Sequence, residues 1–289
     1  MTQSNNNPIR SVGVIGAGAM GCGIAHTLLR SGYAAILIDA HEKTLAVAQK
    51  NISRGLARDV EKGRLTAEVM RESLARLTAT TELARMEAAD FVIEAVSENF
   101  DVKAAVFRQL ASVCRPNVIF TSNTSSISIT RLAAASGRPG LFAGLHFFNP
   151  VPVMKLVELV AGVETLPETL DKASALAVAL GKTPIRVNDF PGFISNRVLM
   201  PMINEAIYAV MEGVAAPEVV DSVMKLGMNH PMGPLELADF IGLDVCFDIM
   251  KVLYEGFRDS KYRPCPLLEK MVHAGRLGRK TARGFYKYP

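Results

Sequence analysis

The chain has 289 residues, 49% of them hydrophobic and 21% charged. A single domain usually holds roughly 100–200 residues, so two cores or one large α/β unit are implied, and the composition excludes disordered and collagen-like chains. The net charge of +4 is spread along the chain rather than gathered into a block, which disfavours a nucleic-acid partner and leaves room for a small polyanion.

In chain order, residues 12–15 form a short apolar, β-branched run that breaks into Gly16-Ala17-Gly18, and residues 20–31 then follow helical spacing up to Gly32. A second buried-strand pattern at 35–38 ends in Asp39, and a charged amphipathic stretch at 44–76 reads as helices. Apolar runs at 91–96, 118–122 and 141–145 alternate with a helical pattern at 102–113 and the segment after Ser126. Residues 154–160 read as a further strand, 167–180 as a helix closed by Gly181, and 183–187 as a last strand. Strands alternating with helices predict a doubly wound, mostly parallel α/β sheet of Rossmann type.

The pattern is interrupted at Asn188-Asp189-Phe190-Pro191-Gly192, and only helical patterns follow, with 8 of the 13 methionines. The expected division is a dinucleotide-binding domain over 1–190 and an all-helical domain over 191–289. Cys22, Cys114, Cys246 and Cys265 lie far apart with no Cys-x-x-Cys. Neither a metal site nor a disulfide framework is expected, and reduced thiols fit. Residues 1–10 are polar, and no run approaches the roughly 18 apolar residues of a membrane span. The expected place is the cytoplasm, with no membrane partner.

Gly16-Ala17-Gly18-Ala19-Met20-Gly21 matches G-x-G-x-x-G between a strand and a helix. Its glycines suit a tight turn, close approach to a pyrophosphate and close helix packing. Asp39, at the end of the second strand, is placed to accept hydrogen bonds from ribose hydroxyls and to repel a 2′-phosphate. NAD is therefore expected over NADP, with a turn or cap role as the alternative for Asp39. Glu94 and Glu98 close the 91–96 strand and Lys103 follows on the next helix. Glu98 is the candidate for a nicotinamide-ribose contact, or else a charge complementing a helix N-terminus.

His146 follows an apolar strand, and Glu158 lies in the next strand-like run. A Pro-containing turn and an antiparallel return would bring the two to one face. An imidazole paired with a carboxylate has a fixed tautomer and a stabilised imidazolium. By pattern alone, a core histidine with a glutamate nearby is the safer reading, because local strands often carry such residues without chemistry.

Several stretches resemble the 3-hydroxyacyl-CoA dehydrogenase family, and within it the short bacterial 3-hydroxybutyryl-CoA dehydrogenases. They are Val14 to Gly21, Ser122-Asn123-Thr124-Ser125-Ser126, His146-Phe147-Phe148-Asn149-Pro150-Val151-Pro152 and Pro191-Gly192-Phe193-Ile194-Ser195-Asn196-Arg197, joined by His230-Pro231-Met232-Gly233-Pro234, the 238–244 stretch and Gly284-Phe285-Tyr286. The resemblance runs over residues 11–288. It implies an NAD(H)-linked, (S)-specific interconversion of 3-hydroxyacyl-CoA and 3-ketoacyl-CoA, with links to fatty acid and butanoate metabolism.

The same resemblance implies His146 as general base, Glu158 as its orienting carboxylate, Ser125 and Asn196 as substrate contacts, and Asn149 as an orienting residue near the nicotinamide. As plain local structure, Ser125 and Asn196 would instead be helix caps. Acyl-CoA would lie between the two domains and the helical one would form a homodimer. Arg54, Arg58 and Lys62 make one basic stripe at i, i+4 and i+8. They are either a solvated face or a grip on CoA phosphates, because the family places CoA beside this region. The family pattern carries glycine where this chain has Ala282, which would strain the chain if φ there is positive. A same-fold dehydrogenase of a non-CoA 3-hydroxy acid or an acyl-carrier-protein thioester, and a non-catalytic dinucleotide-binding protein, are the alternatives.

Overall fold

The computed structural model describes residues Ile9–Pro289; of the polar 1–10 segment, residues 1–8 lie outside the described residues. The chain forms two compact units, divided between Asp189 and Phe190.

The first unit runs β1 (Ser11–Ile15), α1 (Ala19–Arg30), β2 (Ala34–Ile38), α2 (Glu42–Glu61), α3 (Ala67–Ala75), β3 (Leu77–Thr80), β4 (Phe91–Glu94), α4 (Phe100–Val113), β5 (Ile119–Ser122), α5 (Ile129–Ala135), β6 (Phe142–Phe147), β7 (Leu156–Ala161), α6 (Pro167–Ala179) and β8 (Thr183–Asn188). Strands covered on both faces need apolar side chains at successive positions. Val12, Val14, Leu37, Phe91, Ile93 and Phe120 meet that need and are fully enclosed. On α1, Ile24, Ala25, Leu28 and Leu29 form the stripe that covers the sheet.

The eight strands lie in the order β3-β2-β1-β4-β5-β6-β7-β8. Pairing is parallel from β3 through β6, antiparallel between β6 and β7, and parallel again between β7 and β8. This is the doubly wound sheet of the Rossmann type. The winding reverses between β1 and β4, which opens a crevice beyond their carboxyl ends.

The stretch 44–76 is helices, as expected, and it divides in two because Thr66 caps α3 by accepting from the Val69 amide at 3.2 Å. Two local features differ from the sequence expectation. β3 carries no apolar run; it is an edge strand specified by its register against Ala35–Ile38 of β2. The expected strand 91–96 stops at Glu94, and the Ala95 amide turns to bond the Ile15 carbonyl at 2.7 Å.

The second unit contains α7 (Ser195–Met211), α8 (Pro217–Gly227), α9 (Pro234–Ile241), α10 (Leu243–Phe257) and α11 (Pro266–His273). Met200, Ile203, Ile207, Leu235, Leu243, Cys246, Met250, Leu253 and Leu268 fill its core. Beyond α11 the chain departs from the expected helix. Asp239 accepts from the Phe285 and Tyr286 amides at 3.0 and 2.9 Å, and Asp221 accepts from the Tyr286 hydroxyl at 2.7 Å. Amides held by carboxylates are withdrawn from helical bonding. No helix among the described residues is long and apolar enough to cross a membrane.

Ala282 has φ 55° and ψ 8°, in the left-handed region. That conformation costs an L-residue about 1–2 kcal/mol, of which glycine's greater unfolded freedom takes back about 0.5–1. Ala282→Gly is therefore expected to stabilise the second unit by about 0.5–1 kcal/mol. An unfolding midpoint that stays or falls contradicts this.

Candidate active site

The turn from β1 into α1 is shaped by close approach. Gly16 has φ 97°, and a Cβ there would stand 2.5 Å from the Ala95 carbonyl oxygen at the end of β4. At Gly21 a Cβ would collide with the Gly16 carbonyl, so the first turn of α1 lies directly on the glycine turn. Gly18 is different: it is exposed, and nothing lies within 4 Å of where its Cβ would be. The turn thus leaves open space in front of the α1 N-terminus, where amides face a phosphate without side-chain obstruction. Met20 follows in that first turn, partly buried against the core.

Asp39 sits beside this turn. Its Oδ2 accepts from the Ala17 amide at 2.9 Å and its Oδ1 from the His41 amide at 3.0 Å. Asp39 ties the end of β2 to the glycine turn, while His41 stands at the N-cap position of α2. Each carboxylate oxygen keeps acceptor capacity for a hydroxyl. Open space at Gly18 beside an acceptor carboxylate fits a dinucleotide with a free 2′-hydroxyl.

Across the crevice, Glu94 and Lys103 form an enclosed pair. Lys103 Nζ lies 2.7 Å from Glu94 Oε1, with side-chain exposures of 1% and 0%. Burial pushes the Glu94 carboxyl up, against the pull of Lys103, the Ser122 hydroxyl at 2.5 Å and the Val96 amide at 2.7 Å. The same ammonium reaches Glu98 Oε2 at 3.3 Å and the Val96 carbonyl at 3.3 Å. Glu98 lies in the loop between β4 and α4, past the strand it was expected to close. Its Oε1 accepts from the Thr124 hydroxyl at 2.6 Å and from the Ser125 amide and hydroxyl at 2.8 and 3.2 Å. Burial would raise the Glu98 carboxyl, but Lys103 and these donors outweigh it and hold it low. Ser125 is thus fixed by Glu98. The cap of α5 is Ser128, whose hydroxyl accepts from the Arg131 amide.

On the neighbouring strands the antiparallel register sets His146 opposite Glu158. His146 Nδ1 stands 2.8 Å from Glu158 Oε2, and both residues are buried. The Phe148 ring packs on the imidazole with centroids 4.6 Å apart. Asn149 is exposed just beyond β6. Asn123, to which the sequence assigns no role, accepts from the Phe147 amide at 2.8 Å and so links the Ser125 loop to the histidine strand. Its signal was its place inside the Ser122–Ser126 motif.

Arg54 and Arg58 are exposed on α2 and Lys62 is its C-cap residue, so two members of the stripe are helical and the third stands just past the end. Asn196 is buried in the first turn of α7, while the N-cap position belongs to Ile194.

A doubly wound sheet whose glycine turn opens at its switch point, with an acceptor carboxylate beside it, is the scaffold of a dinucleotide-binding dehydrogenase. Comparison with known proteins narrows the class. Residues 11–190 match the family model for the 3-hydroxyacyl-CoA dehydrogenase NAD binding domain, and residues 192–288 match that for its C-terminal domain. A probable 3-hydroxybutyryl-CoA dehydrogenase of Bacillus subtilis is 54% identical over 280 residues, covering 97% of this chain and 98% of the relative. A 3-hydroxybutyryl-CoA dehydrogenase of Bradyrhizobium diazoefficiens is 52% identical, covering 97% and 96%. The crystal structure of the (S)-3-hydroxybutyryl-CoA dehydrogenase of Ralstonia eutropha superposes with a TM-score of 0.95 at 48% identity, covering 98% of this chain and 100% of that one. The chain belongs to the 3-hydroxyacyl-CoA dehydrogenase family and is an NAD-dependent oxidoreductase.

Removing Lys103 strands a carboxylate that water does not reach. Lys103→Met is expected to cost about 3–5 kcal/mol in chemical unfolding, and the double change with Glu94→Gln to cost clearly less. Equal losses in the two would remove the buried charge as the cause.

Proposed function

We propose that the protein interconverts (S)-3-hydroxybutyryl-CoA and acetoacetyl-CoA, with His146 moving the hydroxyl proton. The observation that carries this is the buried His146–Glu158 contact of 2.8 Å across β6 and β7. Glu158 engages Nδ1, so proton exchange with substrate falls to Nε2. In oxidation His146 takes the proton of the 3-hydroxyl as Glu158 stabilises the imidazolium; in reduction His146 returns it. NAD supplies the hydride acceptor. Ser125, held by Glu98, and Asn196 hydrogen-bond the substrate, while Asp39, Glu98 with Lys103, and Asn149 order the cofactor. The names of the relatives support the four-carbon substrate.

The same reading places the protein in the cytoplasm as a homodimer, supported by exposed apolar side chains on the second unit, among them Val219, Val223 and Leu226, the last 88% exposed. Light scattering at micromolar concentration is expected to give a dimer, and a monomer would remove the assembly from the reading.

His146→Gln is expected to lower turnover of acetoacetyl-CoA by about two to four orders of magnitude with NADH binding nearly intact. Glu158→Gln, which keeps the shape and loses the charge, lowers it in the same direction. Near-normal turnover in either variant assigns the pair to structure. Asp39→Ala should weaken NADH more than NADPH and narrow the preference between them; an unchanged ratio leaves Asp39 only its turn-holding bonds.

Arg54→Ala combined with Lys62→Ala should raise KM for acetoacetyl-CoA severalfold and leave a pantetheine thioester unaffected, because exposed cations grip phosphates remote from the chemistry. Equal effects on both substrates return the stripe to a solvated face. Turnover of free acetoacetate at the rate of the thioester would favour a non-CoA substrate.

A further inference from the structure

Between the strand that carries His146 and the strand that carries Glu158, the chain makes an excursion that the ladder does not hold. β6 ends at Phe147 and β7 begins at Leu156. Within residues 148–155 the Pro150 carbonyl accepts from the Val153 and Met154 amides at 2.9 and 3.0 Å, which closes the turn on itself. The Val151 and Met154 carbonyls are answered from outside. Lys182, which stands between Gly181 and β8 and is 6% exposed, donates from Nζ to the Val151 carbonyl and to the Met154 carbonyl, the latter at 2.8 Å. On α1, a Cβ at Gly23 would stand 2.9 Å from the Val151 Cβ and 3.6 Å from the Pro152 Cδ, so the turn rests on the helix backbone. Val151 between them is 2% exposed. A charged donor shared by two carbonyls, one buried and one partly buried, is a strong, directional anchor.

We propose that Lys182 is a positioning residue for the dehydrogenase reaction: acting against the Gly23 surface of α1, it sets where the 148–155 turn, with Phe148 and Asn149, stands relative to His146. The inference rests on the reading of His146 as the proton-transferring group. Phe148, at the start of the turn, is the ring that packs on the imidazole, so a displaced turn changes the imidazole's surroundings without touching its ladder bonds. The anchor also has a pH limit. Burial, joined by the charge of Arg30 at the end of α1, lowers the Lys182 ammonium to about 8. Arg30 itself lies 3.7 Å from Asp59 of α2, and Lys155 on the turn is exposed. The charged anchor is therefore present below about pH 8 and is lost above it.

The test compares wild type, Lys182→Met, Gly23→Ala and His146→Gln in acetoacetyl-CoA reduction with NADH, with thermal melts to count folded protein. In Lys182→Met, kcat per folded molecule is expected to fall about ten- to a hundredfold, the scale of a small misplacement near reacting groups, with KM for acetoacetyl-CoA within about threefold of wild type. In the reverse direction, oxidation of (S)-3-hydroxybutyryl-CoA with NAD, the histidine acts unprotonated and gives no alkaline limb, so the decline of kcat near pH 8 expected of the wild type should be absent from that variant. Gly23→Ala pushes the turn from its other side and keeps the charge, so kcat falls while the alkaline decline persists; it decides the matter if Lys182→Met does not fold. Wild-type kcat in a folded Lys182→Met or, failing that variant, in Gly23→Ala overturns the proposal. Wild-type turnover in His146→Gln instead overturns the assignment of the histidine, whatever the lysine variants do.

Discussion

An ammonium taken out of water is held charged only if carboxylates and carbonyls surround it at bonding distance. Lys103 imposes that condition on the carboxyl end of the sheet. Its one charge is answered by Glu94 from β4, by Glu98 from the following loop and by the Val96 carbonyl. The two carboxylates then have acceptor sites to fill. Glu94 takes the Ser122 hydroxyl at the end of β5, and Glu98 takes Thr124, Ser125 and Ser126 from the next loop. A single buried charge thus connects β4, α4, β5 and the Ser125 loop. The desolvation it costs is offset only while all of these stay in place, so the loops that face the cofactor crevice are rigid without being part of the hydrophobic core.

The histidine side of the sheet is organised by a different constraint. Parallel pairing from β3 to β6 runs those strands' carboxyl ends to one edge, whereas β7 returns antiparallel. Residues directly opposite in such a pair share a face, so His146 and Glu158 meet although their carbonyl ends point in opposite directions. Asn123 joins the two systems by accepting the Phe147 amide. The His146–Glu158 pair and the Glu94–Lys103–Glu98 cluster are therefore parts of one hydrogen-bonded frame.

The second unit uses carboxylates differently. Asp221 accepts from the Leu235 and Glu236 amides at the start of α9 as well as from the Tyr286 hydroxyl. Asp239 accepts from two amides and the Tyr288 hydroxyl of the tail. Burial and the neighbouring Asp221 carboxylate raise the Tyr286 hydroxyl well above its ordinary range, so it stays a donor. These contacts close the end of the chain over a helical core without needing regular structure there.

The sequence by itself determined what local pattern can carry. Apolar runs marked β1, β2, β4, β5 and β7, helical spacing marked α1, α4 and α6, and the spacing from Gly16 to Asp39 marked a dinucleotide turn, because each signal lies within one βαβ unit. The His146–Glu158 pair was legible as a possibility, since both residues stood on strand-like runs, and the matched motifs drew attention to it. Only the tertiary structure decided the rest. β3 has no apolar signature because none of its four residues is fully buried, and it exists through its register with β2. The sequence could not say that Lys103 is enclosed, since a lysine on an amphipathic helix reads as exposed until two carboxylates from other segments surround it. Ala282 was marked only by standing where the family pattern has glycine, and the sign of its φ came from the folded tail. Whatever depended on neighbours in the chain could be read from the order of residues. Register, enclosure of charge and imposed backbone conformation depend on which distant segments meet, and the packing of the whole sets that.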